Sequence, residues 1–173
     1  MRDNEENKLF IREMRVCDAY EVGVLCNKLG IDQLSQNVFY PKPIDTSDLT
    51  EHYESYIEDG EVQVFVADSG GKIVGFVEVW HRDQDDSFEI APFAYILNLF
   101  VKESVRKEKI AYGVFFGLFE AASDWAIKKG YGFLGADTYH FNGRVQKFLN
   151  SVGFSRYKIK FIKKLKSDEE TSV

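Results

Sequence analysis

Apolar positions along this chain change their period several times, and each change marks an element. LFIREMRV (9–16) alternates apolar with polar and predicts a first strand. CDAYEVGVLCNKLG (17–30) then carries apolar residues at helical spacing and predicts a helix closed by Gly30. NVFYPKPIDTSD (37–48) contains Pro41 and Pro43 and reads as a loop, with Ser47 or Asp48 placed to cap a second helix over 49–60. VQVFVAD (62–68), the turn SGGK and IVGFVEVW (73–80) predict a β-hairpin. An acidic connection (81–92) leads to FAYILNLFV (93–101), which reads as a buried strand. Beyond it lie a long helix over 110–129, a strand over 131–139, a helix over 143–154 and a closing strand over 156–165. The polar ends, 1–7 and 166–173, read as loose tails. This order implies a single domain over 1–173, built on one mixed α/β sheet with helices on both faces.

Composition narrows the function classes. With 173 residues, 45% hydrophobic and 29% charged, the chain has the make-up of an ordinary globular protein. A net charge of −6 argues against a nucleic-acid partner, which calls for a basic surface, yet leaves room for a local basic patch around one phosphorylated ligand. The start, MRDNEENKLF, is acidic and lacks the apolar core of a signal peptide, and no apolar run approaches membrane-spanning length. The expectation is a cytoplasmic protein without a membrane partner. Cys17 and Cys26 stand nine positions apart in the predicted first helix. That spacing is about 13 Å along the axis, too far for a disulfide, so both read as reduced core cysteines.

The most informative stretch is RKEKIA (106–111), a knot of charge between a buried strand and an apolar helix. The first N–H groups of a helix lack intrahelical partners and face the positive end of its dipole, a setting that suits an anion such as a pyrophosphate. The alternative is a solvated, charged turn. In the strand–loop–helix of 94–129 the spacing at Arg106, Lys109 and Ala111 resembles the acyl-CoA loop of the GNAT superfamily of N-acetyltransferases, which reads Gln or Arg, two residues, Gly, one residue, then Gly or Ala. NGRVQKFLNSVGF (142–154) resembles a second family segment, matching at Asn142, Gly153 and Phe154, and the element order agrees over roughly residues 8–165.

The resemblance implies a mostly antiparallel sheet splayed at its centre, with acetyl-CoA as co-substrate and no metal. It implies that the N–H groups of residues 107–113 (Lys107, Glu108, Lys109, Ile110, Ala111, Tyr112 and Gly113), aided by the Arg106 side chain, hold the pyrophosphate. Leu99, Phe100 and Val101 would pair with the pantetheine arm, with the Leu99 N–H as the oxyanion donor. Asn142 and Leu149 join the cofactor-binding positions on the same ground.

Three positions depart from the family pattern. Lys109 replaces the expected glycine, Tyr95 stands where several members place a general-base glutamate, and Leu149 stands where many place a tyrosine that protonates the thiolate. Acetyl transfer needs a neutral amine, so some group must take its proton. Glu78 is the first candidate, because it shares a strand face with Val74, Phe76 and Trp80 and burial would raise its pKa; the bland alternative has it reaching solvent. His140 is the second, or simply a solvated loop histidine. Tyr139 or Tyr112 could supply the missing phenol, and Asp137 ranks lower, as a residue that ends a strand. The run DQDD (83–86) lacks the full spacing of a calcium loop.

The resulting expectation is an acetyltransferase that moves an acetyl group from acetyl-CoA to a primary amine by direct attack in a ternary complex. The alternative is a degenerate module that binds acyl-CoA or a protein partner without turnover. Acidic residues of the first two helices and the loop at 30–48 (Asp32, Asp45, Asp48, Glu51, Glu54), where the resemblance puts the acceptor, suit a cationic one, and equally plain solubility. A homodimer is implied only by family habit.

Overall fold

Strands β1 (Leu9–Glu13), β2 (Val62–Ser69), β3 (Lys72–Arg82), β4 (Phe93–Val101) and β5 (Leu134–Ala136) lie side by side in sequence order in a single sheet. The first three pairings are antiparallel, and β4 pairs with β5 in parallel. This is the mixed, mostly antiparallel open sheet expected from the sequence. The structure is a computed structural model that describes residues 9–36, 47–83, 92–106 and 110–163. Its contacts divide the chain into two compact units, Met1–Asp137 and Thr138–Val173.

In the first unit the period of two along each strand sends side chains to two different cores. Phe65, Ala67, Val77, Val79, Ala94 and Ile96 pack with Val114, Leu118, Ala122 and Trp125 of α4 (Ala111–Lys128). Those four α4 residues recur at helical spacing, which is why this helix lies flat on the sheet. Gly117 lets it come close: a Cβ there would stand 2.8 Å from Ile11 Cγ1. On the other face Val64, Val66, Phe76 and Phe100 pack with Ala19, Val22 and Leu25 of α1 (Ala19–Leu34) and with Tyr53 of α2 (Thr50–Ser55). Each fully buried Val, Leu or Phe contributes about 1.5–3 kcal/mol.

One irregularity in β4 shapes everything that follows. Glu78 pairs with Asn98 and Val79 pairs with Ile96, so Leu97 has no partner on β3. This β-bulge resets the alternation. Before it, Ala94 and Ile96 face α4; after it, Asn98 and Phe100 face α1 and α2. The pairing with β5 covers only Ala94, Tyr95 and Ile96. Among the described residues no strand pairs with 97–101 on that side, which is the splay expected from the sequence.

Several boundaries differ from the sequence expectation. Helix α1 runs through Gly30 to Leu34, because no proline intervenes and one glycine costs a helix only about 1 kcal/mol. Cys17 sits exposed in a 3-10 turn at Val16–Asp18, so only Cys26 is a partly buried thiol of the expected kind. Helix α2 is only six residues long, although the Asp48 carboxylate does accept the Thr50 N–H at 2.8 Å. The strand expected over 131–139 shrinks to three residues. No strand forms among the described residues of the 156–165 segment, where Tyr157, Ile159 and Phe161 are exposed. Alternation alone supplies no hydrogen-bonding partner. Arg12 ties the sheet to the start of α1, with Nη1 2.6 Å from Asp18 and Nη2 3.0 Å from Asp68.

The second unit contains α5 (Gly143–Ser151). Asn142 caps it by accepting the Val145 N–H, and Gly153 closes it at φ 93°. The Phe154 N–H reaches Leu149 O at 3.0 Å and the Gly153 N–H reaches Asn150 O at 3.3 Å, the paired bonds of a Schellman stop. The second sequence motif is therefore a helix start and a helix stop.

Candidate active site

The splay leaves one edge of β4 open, and backbone geometry says which groups face it. In a strand the N–H and C=O of one residue point to the same side, and the next residue points to the other. The Lys102 N–H donates to Val74 O on β3 at 2.8 Å, and Phe100 O lies against Gly75. Leu99 and Val101 therefore present their backbone groups away from β3, at the open edge. Val101 O there accepts Arg106 Nε at 2.6 Å.

Beside this edge, on the α1–α2 face, Arg82, Asp83, Phe93, Tyr95, Leu97 and Asp137 line an open cleft of about 590 Å³. The Tyr95 hydroxyl donates to Asp137 Oδ2 at 2.6 Å. Burial, with Asp137 second, pushes the Tyr95 phenol well above its ordinary value, so it remains a protonated donor. The Arg82 guanidinium lies over the rings of both Trp80 and Tyr95, at 5.3 and 5.5 Å from their centroids. Asp137 ranked low in the sequence. What brings it to Tyr95 is the parallel pairing of Tyr95 with Gly135, two residues before it.

Glu78 lies deeper. It is 1% exposed and does not reach solvent. Three donors hold its carboxylate: Trp80 Nε1 at 2.5 Å, Asn98 Nδ2 at 2.8 Å and the Tyr53 hydroxyl at 3.3 Å. Among the described residues no lysine or arginine pairs with it. Burial first, then the Glu78 charge, pushes the Tyr53 phenol far up, and burial pushes the Cys26 thiol up as well. Both stay neutral. Asn98 had no place among the sequence candidates; a polar residue within an apolar strand was the only signal available.

At the start of α4 the N-cap is Ile110, whose side chain has no oxygen to offer the first turn. Ala111, Tyr112 and Gly113 form that turn, and no acidic residue stands in it. Lys107, Glu108 and Lys109 lie outside the described residues. Arg106 ends a short helix, α3 (Glu103–Arg106), and its guanidinium is already engaged. Besides Val101 O it meets Asp32 at 3.5 Å and stacks 4.5 Å from the Phe100 ring centroid.

Tyr139, His140, Asn142 and Leu149 belong to the second unit. There Tyr139 stacks on Phe141 at 5.2 Å, and the carbonyls of Tyr139 and His140 both accept from Gln146 Nε2. Asn142 and Leu149 serve the start and the stop of α5, as described above.

The sequence profile of the acetyltransferase (GNAT) family matches residues 31–154, and the chain belongs to that family. It is by that membership an N-acetyltransferase. No curated protein matches the chain. Solved structures of the same fold include AAC(6')-Iy in complex with the bisubstrate analogue CoA-S-monomethyl-acetylneamine, 21% identical over 91% of this chain and 99% of that one, with a TM-score of 0.69. An aminoglycoside acetyltransferase from an uncultured soil sample, in complex with sisomicin, is 21% identical over 91% of this chain and 97% of that one, with a TM-score of 0.64. A mutant protein from Bacillus halodurans is 21% identical over 90% and 99%, with a TM-score of 0.75. Among the described residues no helix is long and apolar enough to cross a membrane.

Proposed function

We propose that this chain transfers the acetyl group of acetyl-CoA to a primary amine of a small cationic molecule, by direct attack in a ternary complex. The observation that carries the reading is the open edge at Leu99 and Val101 beside a cleft that holds Tyr95 and Asp137. The edge fits an extended pantetheine arm, which can pair with backbone as a strand would. The uncapped first turn of α4 fits a pyrophosphate, with Lys107 and Lys109 next to it in sequence.

In this reading the Leu99 N–H donates to the acetyl carbonyl as negative charge develops on its oxygen. The amine nitrogen forms the new C–N bond and then loses a proton. Tyr95 accepts that proton on Oη while passing its own to Asp137, 2.6 Å away. The C–S bond breaks, and the CoA thiolate takes a proton through solvent, to which Asp137 gives up the one it received. Glu78, enclosed by three donors, does not meet the amine. The cleft carries two carboxylates, Asp83 and Asp137, against one arginine, a balance that favours a cationic acceptor. Aminoglycoside acetyltransferases share this fold, which supports a polyamine-like small molecule.

The test is thiol release from acetyl-CoA with sisomicin, spermidine and a lysine peptide, alongside melting with and without CoA. At a hundredfold excess over Kd, CoA is expected to add about 2.7 kcal/mol, or roughly 5–10 °C in Tm. A melting point unmoved by millimolar CoA overturns the co-substrate. A shift without thiol release from any amine turns the reading to a non-catalytic acyl-CoA binder.

A further inference from the structure

We propose that Asn98 orients the acceptor amine, and that buried Glu78 is a positioning residue whose effect on the reaction passes through the Asn98 side chain. The proposal rests on the reading of the open edge as the acetyl site. A carboxylate without a countercharge is costly to bury, and here only neutral donors offset that cost. Its surroundings point to one consequence. The Trp80 indole only donates, and it takes Oε1. The end of the Asn98 amide that faces Glu78 is its NH2, with Nδ2 2.8 Å from Oε2. Trp80 on Oε1 and Tyr53 on Oε2 fix the carboxylate in turn.

With its NH2 committed, the Asn98 amide points Oδ1 away from Glu78. Among the described residues no hydrogen bond is made by that oxygen. Asn98 is only half-buried, whereas Glu78 is 1% exposed. It follows the Leu97 bulge, faces the α1–α2 side with the cleft, and directly precedes Leu99, whose N–H faces the open edge. An attacking primary amine must aim its lone pair at the acetyl carbon while its N–H groups find acceptors elsewhere. In the proposal Oδ1 is one such acceptor, carried by the residue that follows the cleft-lining Leu97. An amide turned the other way would offer a donor to a donor. The carboxylate thus selects the amide rotation that the attack needs, and the proton still leaves through Tyr95.

The test follows thiol release by the full chain, with sisomicin, spermidine and the lysine peptide as the probe amines. Asn98→Ala should lower kcat/KM for the amine about 10- to 100-fold, the size of one lost hydrogen bond to a nitrogen that becomes positive as it attacks, and leave KM for acetyl-CoA within about twofold. Glu78→Gln puts an NH2 against Asn98, turns its amide over and should produce a similar loss. Adding Asn98→Asp to Glu78→Gln restores an oxygen at both ends of the side chain. That double variant should recover to within about fivefold of the unmodified protein, a reversal that loss of packing does not produce. Amine kcat/KM held within about twofold in Asn98→Ala, or a double variant no better than its parents, overturns the proposal. If Glu78→Gln fails to fold, Asn98→Ala decides alone. If the unmodified protein turns over no amine, the acetyl-transfer reading falls and takes this inference with it.

Discussion

The two faces of the sheet are built differently. Against α4 the buried residues are all apolar, from Phe65 and Val77 to Leu118 and Trp125. Both carboxylates buried among the described residues, Asp18 and Glu78, lie on the side of α1 and α2. Those two differ again from each other. Asp18 meets the Arg12 guanidinium at 2.6 Å, which holds its carboxyl below the usual range. Glu78 meets only neutral donors. One face therefore carries stability through burial alone, while the other carries a structural ion pair and, beside it, a polar cluster that packing does not require. In the proposed reading the chemistry belongs to the second face.

Substitutions on each face test that division. The largest expected effect is on turnover: Asp137→Asn should lower it about 10³-fold, since the amine's proton loses its final acceptor. Asp137 is exposed, so Tm should move little, and steady-state kinetics beside a melting curve checks both. Turnover within threefold of the unmodified enzyme would return the proton to another group.

Next in size is Leu118→Ala on the α4 face, where the side chain is fully buried. It should cost about 3 kcal/mol, roughly a hundredfold in the folding equilibrium. Denaturant unfolding measures that cost. Activity per folded molecule should stay within about twofold, and a larger loss would mean that the apolar face also serves the reaction.

Smallest is Arg12→Met, which leaves Asp18 without its cation and should cost about 2 kcal/mol near neutral pH, below a fully buried pair because Arg12 is partly exposed. The pH dependence has a definite sign. The folded Asp18 carboxyl titrates below its unfolded value, so its contribution is complete above an unfolded pKa of ~3.9 and is lost as pH falls through the folded value. The stability gap between Arg12→Met and the unmodified protein should therefore narrow in acid. A gap that widens there would remove Asp18 from the account.

What the sequence determined by itself was local. Alternation and helical spacing were enough for β1 to β4 and α4, because side-chain period is a property of a single segment. The helix over 143–154 was legible for the same reason, whereas Asn142 and Gly153 entered as family matches and are its start and stop in the structure. The charged approach to α4 was legible as a residue pattern, and it lies within the span 31–154 that the family profile matches. The site was a different matter. No glycine or proline marks Leu97 as a bulge; two ladders, one with β3 and one with β5, leave that residue without a partner. Glu78 could read as buried or solvated until Tyr53, 25 positions earlier, closed over it. Asp137 stood 42 positions from Tyr95 and read as the end of a strand, until the parallel pairing brought their side chains to 2.6 Å. Period and capping are decided within a turn or a strand, whereas burial, register and the meeting of distant side chains are decided by which elements pack together, and only the tertiary structure makes that choice.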